Sequence, residues 1–438
     1  MKSRFFRCTV LAAAFLCYQA TAVNAANGFA VSVSYLSPPV SSMQWAYDAC
    51  FNRGNLVRYD ITNNAVASRD TLYKGWAQWP AINLAGTKIA FFRWGKSVKN
   101  GQVVNEADPK NYLSVINKSG GTVTNLVEVA APLTQSAADR DPLIDWPAGD
   151  WVYYEKPTKT HQIWRVNIND PSRNELVVTY QKSPKGEDSG PIYFWRWTLS
   201  VDARAALIWS AGYTWNSNIW HCFPPTNGDP LACAPNNGAA WAQIWACNGA
   251  VSPSGKYACH YIGGAHETIE ILSWDLNPSS GYGTVRQVTL SIAGAEQLRF
   301  AANSDKWVQE QVGYDGLAAA LCNGSNQWLI NWKDGGTIVA SGNPRGQTPA
   351  KCSDAGDFWI DGGVQNAGKY EDANGSWVTV APIDPINPSA ASAALMSRPI
   401  ARTVPHLRCG DRGLVVEWKS GATTLAADMR GRKIASVR

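Results

Sequence analysis

The same short pattern returns along this chain at intervals of about 50 residues: an apolar stretch, a tight turn with Gly, Asp or a small residue, then a second apolar stretch. Asn83-Leu84-Ala85-Gly86-Thr87-Lys88 precedes Ile89-Ala90-Phe91-Phe92, and Trp146-Pro147-Ala148-Gly149-Asp150 precedes Trp151-Val152-Tyr153-Tyr154. Ser200-Val201-Asp202-Ala203-Arg204 precedes Ala205-Ala206-Leu207-Ile208-Trp209, and Ser252-Pro253-Ser254-Gly255-Lys256 precedes Tyr257-Ala258-Cys259-His260-Tyr261. Asn303-Ser304-Asp305-Lys306 and Asp354-Ala355-Gly356-Asp357 take the same place further on. With the turns at 86, 149, 203, 255, 305 and 356, the steps are 63, 54, 52, 50 and 51 residues. The longest step holds an insertion, Lys96 to Asn111. After each pair of stretches come two more, as in Tyr112–Asn117 before Lys118-Ser119-Gly120-Gly121, and Gln327–Trp332 before Lys333-Asp334-Gly335-Gly336. Residues tolerant of positive φ suit the turn between paired strands. Four short strands per unit at this spacing predict an all-β propeller with almost no helix.

Ser252-Pro253-Ser254-Gly255-Lys256 resembles the Ser-Pro-Asp-Gly-Lys turn of the TolB-type, WD40-like propeller repeat. The resemblance spans roughly residues 75 to 385, with Leu84-Ala85-Gly86 and Ser200-Val201-Asp202-Ala203 departing from the pattern. It implies a fold and little about function, because this repeat serves binding proteins and enzymes alike.

One propeller over 26–395 is expected, with seven four-stranded blades; six or eight also fit the spacing. Asn55–Asp60 and Ala65–Ser68 read as the last strands of a first unit. Residues 396–438 read either as strands that close the ring or as part of a C-terminal sorting domain. For the first, Gly410-Asp411-Arg412-Gly413 leads into Leu414–Trp418. For the second, Ala427–Lys433 resembles the Asp-x-x-Gly-Arg segment of type IX secretion domains. Pro382 to Ala394 is the best linker candidate.

Residues 1–25 read as an export signal: Lys2, Arg4 and Arg7, an apolar stretch from Thr9 to Leu16, and a cleavage site at Val23-Asn24-Ala25. The apolar stretch is short of the roughly 20 residues a membrane span needs, so no span is expected. The net charge of +5 becomes +2 once those three basic residues leave. With no basic run, nucleic acid is not an expected partner. A secreted or periplasmic location follows, and a monomer is expected. Cys8 and Cys17 leave with the signal. The remaining eight cysteines suit disulfides in an oxidising compartment. Local spacing suggests Cys222 with Cys233, Cys247 with Cys259, Cys322 with Cys352, and Cys50 with Cys409, in falling order of support.

The 21 tryptophans are far above ordinary usage; much of this is core, and the rest offers flat faces for sugar rings, a division composition alone does not make. Loops joining second to third strands share one face of a propeller with the blade-to-blade connections. Trp94, His161, Trp215, Tyr261 and Tyr314 are the ligand-binding candidates there, and carbohydrate is the expected partner. A glycan-cleaving alternative, a polysaccharide lyase, needs a base for the C5 proton and a cation for the uronate. His266 or His260 with Tyr261 would be base and acid, and Arg93 the cation. Strand alternation turns either His260 or Tyr261 inward. A protein-interaction scaffold is the third reading. No Gly-x-Ser-x-Gly or His-Glu-x-x-His motif occurs. No cofactor or metal site is expected. Asp139-Arg140-Asp141 and Asp354 to Asp361 have carboxylates for a structural calcium, but neither follows the calcium-loop pattern.

Overall fold

The computed structural model describes residues 27–35, 54–63, 65–99, 102–130, 143–156, 162–179, 193–211, 216–224, 241–245, 247–262, 268–277, 281–289, 295–312, 328–333, 337–338, 353–380, 384, 405–410, 413–420, 423–428 and 433–437. Among these, nearly every regular element is a strand; the exceptions include the 3-10 turns Trp274–Leu276 and Val364–Asn366. Almost all pairings are antiparallel between consecutive strands, as the repeat predicts.

The described strands group into six blades around a closed ring. The second blade runs from the end of Ala65–Ile82 through Lys88–Trp94 and Asn111–Asn117 to Thr124–Val129. The third comprises Ile144–Asp145, Trp151–Lys156, Gln162–Asn167 and Asn174–Thr179. The fourth comprises Tyr193–Leu199, Ala206–Ala211, Asn216–Trp220 and Trp241–Trp245, and the fifth Cys247–Val251, Tyr257–Ile262, Thr268–Ser273 and Gly283–Thr289. The sixth comprises Ala295–Ala301, Ser304–Val312, Trp328–Asn331 and Thr337–Ile338, with the hairpin Lys369–Glu371/Trp377–Thr379 joined to it. The insertion at Lys96 forms its own hairpin, Lys96–Lys99 with Gln102–Asn105.

The first blade draws on both ends of the propeller. Ser353–Ile360 pairs with Gly28–Tyr35, which pairs with Gly54–Thr62 and then with the start of Ala65–Ile82. This corrects two expectations. The partial unit near Asn55 and the unit at Gly356 belong to one sheet. Asp354–Asp357 lies within a strand, not a turn. The closing strand is also not C-terminal. Pro405–Gly410, Gly413–Ser420, Thr423–Asp428 and Lys433–Val437 form a separate four-stranded sheet, and no strand of the first blade pairs with it.

Strand alternation explains why the blades stack. Successive side chains of a strand point to opposite faces. Ile89 and Phe91 pack with Phe29, Val31 and Leu56, whereas Ala90, Phe92 and Trp94 pack with Ile144 and Val152. Leu207 packs with Ala258 and Val251, while Ala206 and Ile208 face the third blade's core. Cys259 and Tyr261 meet Leu298 and Phe300. Ala30 and Tyr59 meet Ala301, Trp307 and Phe358, which completes the circuit. Each fully buried large apolar side chain contributes about 1.5–3 kcal/mol.

The innermost strands are also stitched edge to edge. Leu199 N–H donates to Asp145 Oδ2 at 2.7 Å, Val251 N–H to Thr198 Oγ1 at 2.9 Å, and Ile82 N–H to Asp357 Oδ2 at 2.7 Å. Ile360 N–H donates to Asn303 Oδ1 at 2.8 Å, and Ser254 N–H to Asp305 Oδ1 at 2.8 Å. Gly86, with φ +66°, does double duty in its turn. The Trp359 ring lies where a Cβ would stand, and its indole N–H donates to Leu84 O at 3.0 Å.

Arg299 crosses the axis from the sixth blade. Its Nη2 donates to Asp145 Oδ1 of the opposite, third blade at 2.8 Å, and its Nε lies 3.5 Å from Asp357 Oδ1. The same carboxylates accept from Trp146 N–H and Phe358 N–H, both at 2.9 Å. Burial pushes the Asp357 carboxyl up to about 6 despite Arg299, and burial likewise pushes Asp305 up to about 6.

Candidate functional site

Of the binding and catalytic residues chosen from the sequence, Arg93, Trp94, His260 and Tyr261 are described, and they lie on two different blades. Trp94 is 3% exposed, and its indole N–H donates to Gln78 Oε1 at 2.5 Å; it is core of the second blade, not a loop ring. Alternation carries it inward with Ala90 and Phe92. Tyr261 is buried against the sixth blade. His260 is buried as well, because both faces of a middle strand are covered; the expectation that only one of the two faces inward is corrected. His260 Nε2 and Glu270 Oε2 are 2.7 Å apart. Burial raises the Glu270 carboxyl, but bonds from Gln287, Thr284 and His260 outweigh it and hold it below the ordinary carboxylate range.

Arg93 is engaged on its own hairpin, with Nη2 2.8 Å from Glu106 Oε2 and Nη1 3.3 Å from Asp108 Oδ2. Tyr73 OH donates to Glu106 Oε1 at 3.0 Å. Burial, then the Glu106 charge, pushes that phenol up to about 12. His161, Trp215, His266 and Tyr314 lie outside the described residues, as do Cys50, Cys233, Cys322, Cys352 and Asp139–Asp141. Cys222 is disulfide-bonded. Cys259 is a buried thiol, so its expected bridge to Cys247 is not formed. A bulge in the ladder sets Tyr261 opposite Cys247 and Ala250 opposite Cys259. For Cys409 the structure places only the backbone, in Pro405–Gly410.

A cavity of about 150 Å³ opens between the third and fourth blades, at the end bearing their repeat turns. Pro147, Ala148, Trp151, Tyr153, Val201, Asp202, Ala203 and Asp384 line it. The third-blade wall follows from register. Trp151 and Tyr153 are two apart, so they share a face. Arg165 stands opposite Tyr153 on the next strand, and Glu175 opposite Arg165 on the one after. One face of the blade thus carries two aromatic rings and an ion pair side by side.

The turn Ser200–Arg204 supplies the other wall. Asp202 Oδ1 accepts from Ser200 Oγ–H at 2.6 Å and from Arg204 N–H at 3.1 Å. Ala203 takes the left-handed conformation, φ +56°, that Gly86, Gly149 and Gly255 fill in sister turns.

Arg165 is fully buried behind this surface. Its Nε and Nη2 donate to Glu175 Oε2 at 3.0 and 2.7 Å, and Nη2 also reaches Asp384 Oδ1 at 2.7 Å. Its Cζ lies 4.0 Å from the Trp151 ring centroid, and that of Arg173 lies 4.6 Å from the same ring. Nη1 is buried and makes no hydrogen bond. Burial also pushes the Tyr153 phenol up to about 12, against the pull of Arg165, so it stays protonated. Arg165 is not among the candidates drawn from the sequence. The signal was there: a charged residue between Trp164 and Val166 in a strand with both faces covered.

No family model matches the sequence, and no curated protein matches it. Solved structures similar to it include TolB from Acinetobacter baumannii, 12% identical with a TM-score of 0.41. That match covers 76% of this chain and 66% of TolB, just under two thirds of its length. An oligogalacturonate lyase in complex with manganese is 12% identical with a TM-score of 0.38, over 60% of this chain and 69% of that one. The β-propeller domain of Cps50 (Swd1) from Myceliophteria thermophila is 11% identical with a TM-score of 0.35, over 60% and 88%. The likeness of this chain to TolB-type and WD40-like propellers is one of fold alone.

Proposed function

We propose that this propeller is an exported carbohydrate-binding protein and that the cavity between its third and fourth blades takes a sugar unit. The observation that supports this is the half-buried Trp151 beside the Tyr153 phenol and the Asp202 and Asp384 carboxylates. Aromatic rings offer a sugar's C–H groups an apolar surface with a polar handle. Carboxylates and a protonated phenol match its hydroxyls as acceptors and donor. The volume lies below the usual range for drug-sized ligands, which suits one sugar unit rather than a buried oligosaccharide. Export rests on the reading of residues 1–25. Among the described residues, no helix is long and apolar enough to cross a membrane, which says nothing of a β-barrel.

A glycan array on the mature protein, repeated with Trp151→Ala and Asp202→Ala, tests the reading. Binding that both variants weaken, with melting temperatures near wild type for Asp202→Ala, supports it. Sugar binding that neither variant alters moves the site elsewhere. Binding to proteins alone sinks the carbohydrate reading in favour of a scaffold.

A further inference from the structure

Resting on that carbohydrate reading, we propose that the cavity selects sugars bearing a carboxylate, which Arg165 grips in place of Asp384. The guanidinium is fully buried, yet only part of its donor set is used. Glu175 accepts from Nε and Nη2, and Asp384 Oδ1 lies 2.7 Å from Nη2. Nη1, on the same carbon, is left buried with no acceptor. A buried donor without a partner keeps its full desolvation penalty. Arginine's planar fork matches a carboxylate by two parallel bonds, and a carboxylate lying across Nη1 and Nη2 would meet both.

Asp384 shows that a carboxylate reaches this position from the cavity side, since it both lines the cavity and bonds Arg165. It comes from the chain that follows the sixth blade's hairpin, not from the blades that build the cavity. Its side chain is 30% exposed, against 0% for Arg165, so water can take it over when a ligand displaces it. Glu175 stays in the ladder and keeps the guanidinium neutralised meanwhile. Arg173, over the same Trp151 ring and 3.7 Å from Glu175, adds positive charge at the rim. Asp384 is thus an internal competitor for the ligand's acid group.

Calorimetric titration of the mature protein with D-glucuronate, D-galacturonate and their neutral methyl esters tests this, on wild type and on Asp384→Ala. One acid should bind wild type about tenfold more tightly than its ester. Asp384→Ala should tighten the acid by about threefold more relative to the ester. Arg165→Lys keeps the charge but loses the fork, and should abolish the preference for acid over ester. Equal affinity for acid and ester overturns the proposal while sugar binding stands, as does an Asp384→Ala protein that binds the acid like wild type. If neutral sugars from the array bind and neither uronate does, the proposal also falls alone. If no sugar binds either protein, the carbohydrate reading falls and takes this one with it.

Discussion

Two buried arginines face carboxylates in this molecule, and they are finished to different degrees. At the axis, Arg299 meets Asp145 and Asp357, and each of those carboxylates also accepts backbone N–H groups of two strands. The charges come from the third, sixth and first blades, so the cluster ties opposite sides of the ring together. At the cavity, Arg165 draws Glu175 from its own blade and Asp384 from beyond the blades, and one of its nitrogens is left unmatched. A buried polar network whose members are all engaged specifies structure; one left incomplete carries an uncompensated desolvation cost. The axis is architecture, and the cavity is where the proposed ligand would add a partner.

The largest expected effect breaks the axial half of that comparison. Arg299→Ala strands two carboxylates in the ring and should cost about 3–5 kcal/mol in denaturant unfolding. Arg165→Ala should cost less, about 1–3 kcal/mol, because Glu175 and Asp384 can turn to water. Equal losses would mean that the cavity cluster is as structural as the axis. The tryptophans give a second contrast. Trp94→Ala empties core and should cost about 3–5 kcal/mol, whereas Trp151→Ala should cost roughly half that and abolish sugar binding. A Trp94 variant that melts like wild type would return that ring to the surface.

Acidity sharpens the axial side next. Asp357 and Asp305 have folded values raised to about 6 by burial, above the ordinary 3.8. The folded chain therefore holds protons there that the unfolded chain releases. Their stabilisation is complete below about 3.8 and is lost as pH rises through about 6. Unfolding free energy should fall by about 1–3 kcal/mol from pH 5 to 7.5, and the Asp305→Asn, Asp357→Asn pair should flatten that slope. A slope unchanged by both substitutions would assign it to other groups. The smallest effect lies in the cavity wall. Ala203→Gly relieves a left-handed alanine and should stabilise by about 0.5 kcal/mol, after the entropy glycine loses on folding. A destabilised variant would mean that the Ala203 methyl packs in the cavity.

Much of the fold was legible because it is local. The turns at Gly86, Gly149, Ala203 and Gly255 each sit between the strands the repeat predicts, with φ positive at all four. The pairing of the propeller's two ends was not legible, for the opposite reason. Gly28–Tyr35 and Ser353–Ile360 share one ladder more than 300 residues apart in sequence, and no local pattern reports such a pair. The same limit misplaced Cys259, whose bridging geometry hung on a bulge. Trp94 failed because the strand Lys88–Trp94 runs through it, where the sequence reading began a loop.

The sequence by itself determined the strand periods, their turns and the all-β class, since these follow from residues within a few positions of one another. Which faces are covered, which strand closes the ring, and which charges meet were decided only when blades came together. Arg165 shows why. Its strand fixes the direction in which it points and the next strand sets Glu175 opposite it, but its burial and its contact with Asp384 come from packing against other parts of the chain. A charge becomes costly to leave unmatched only after tertiary structure has taken the water away.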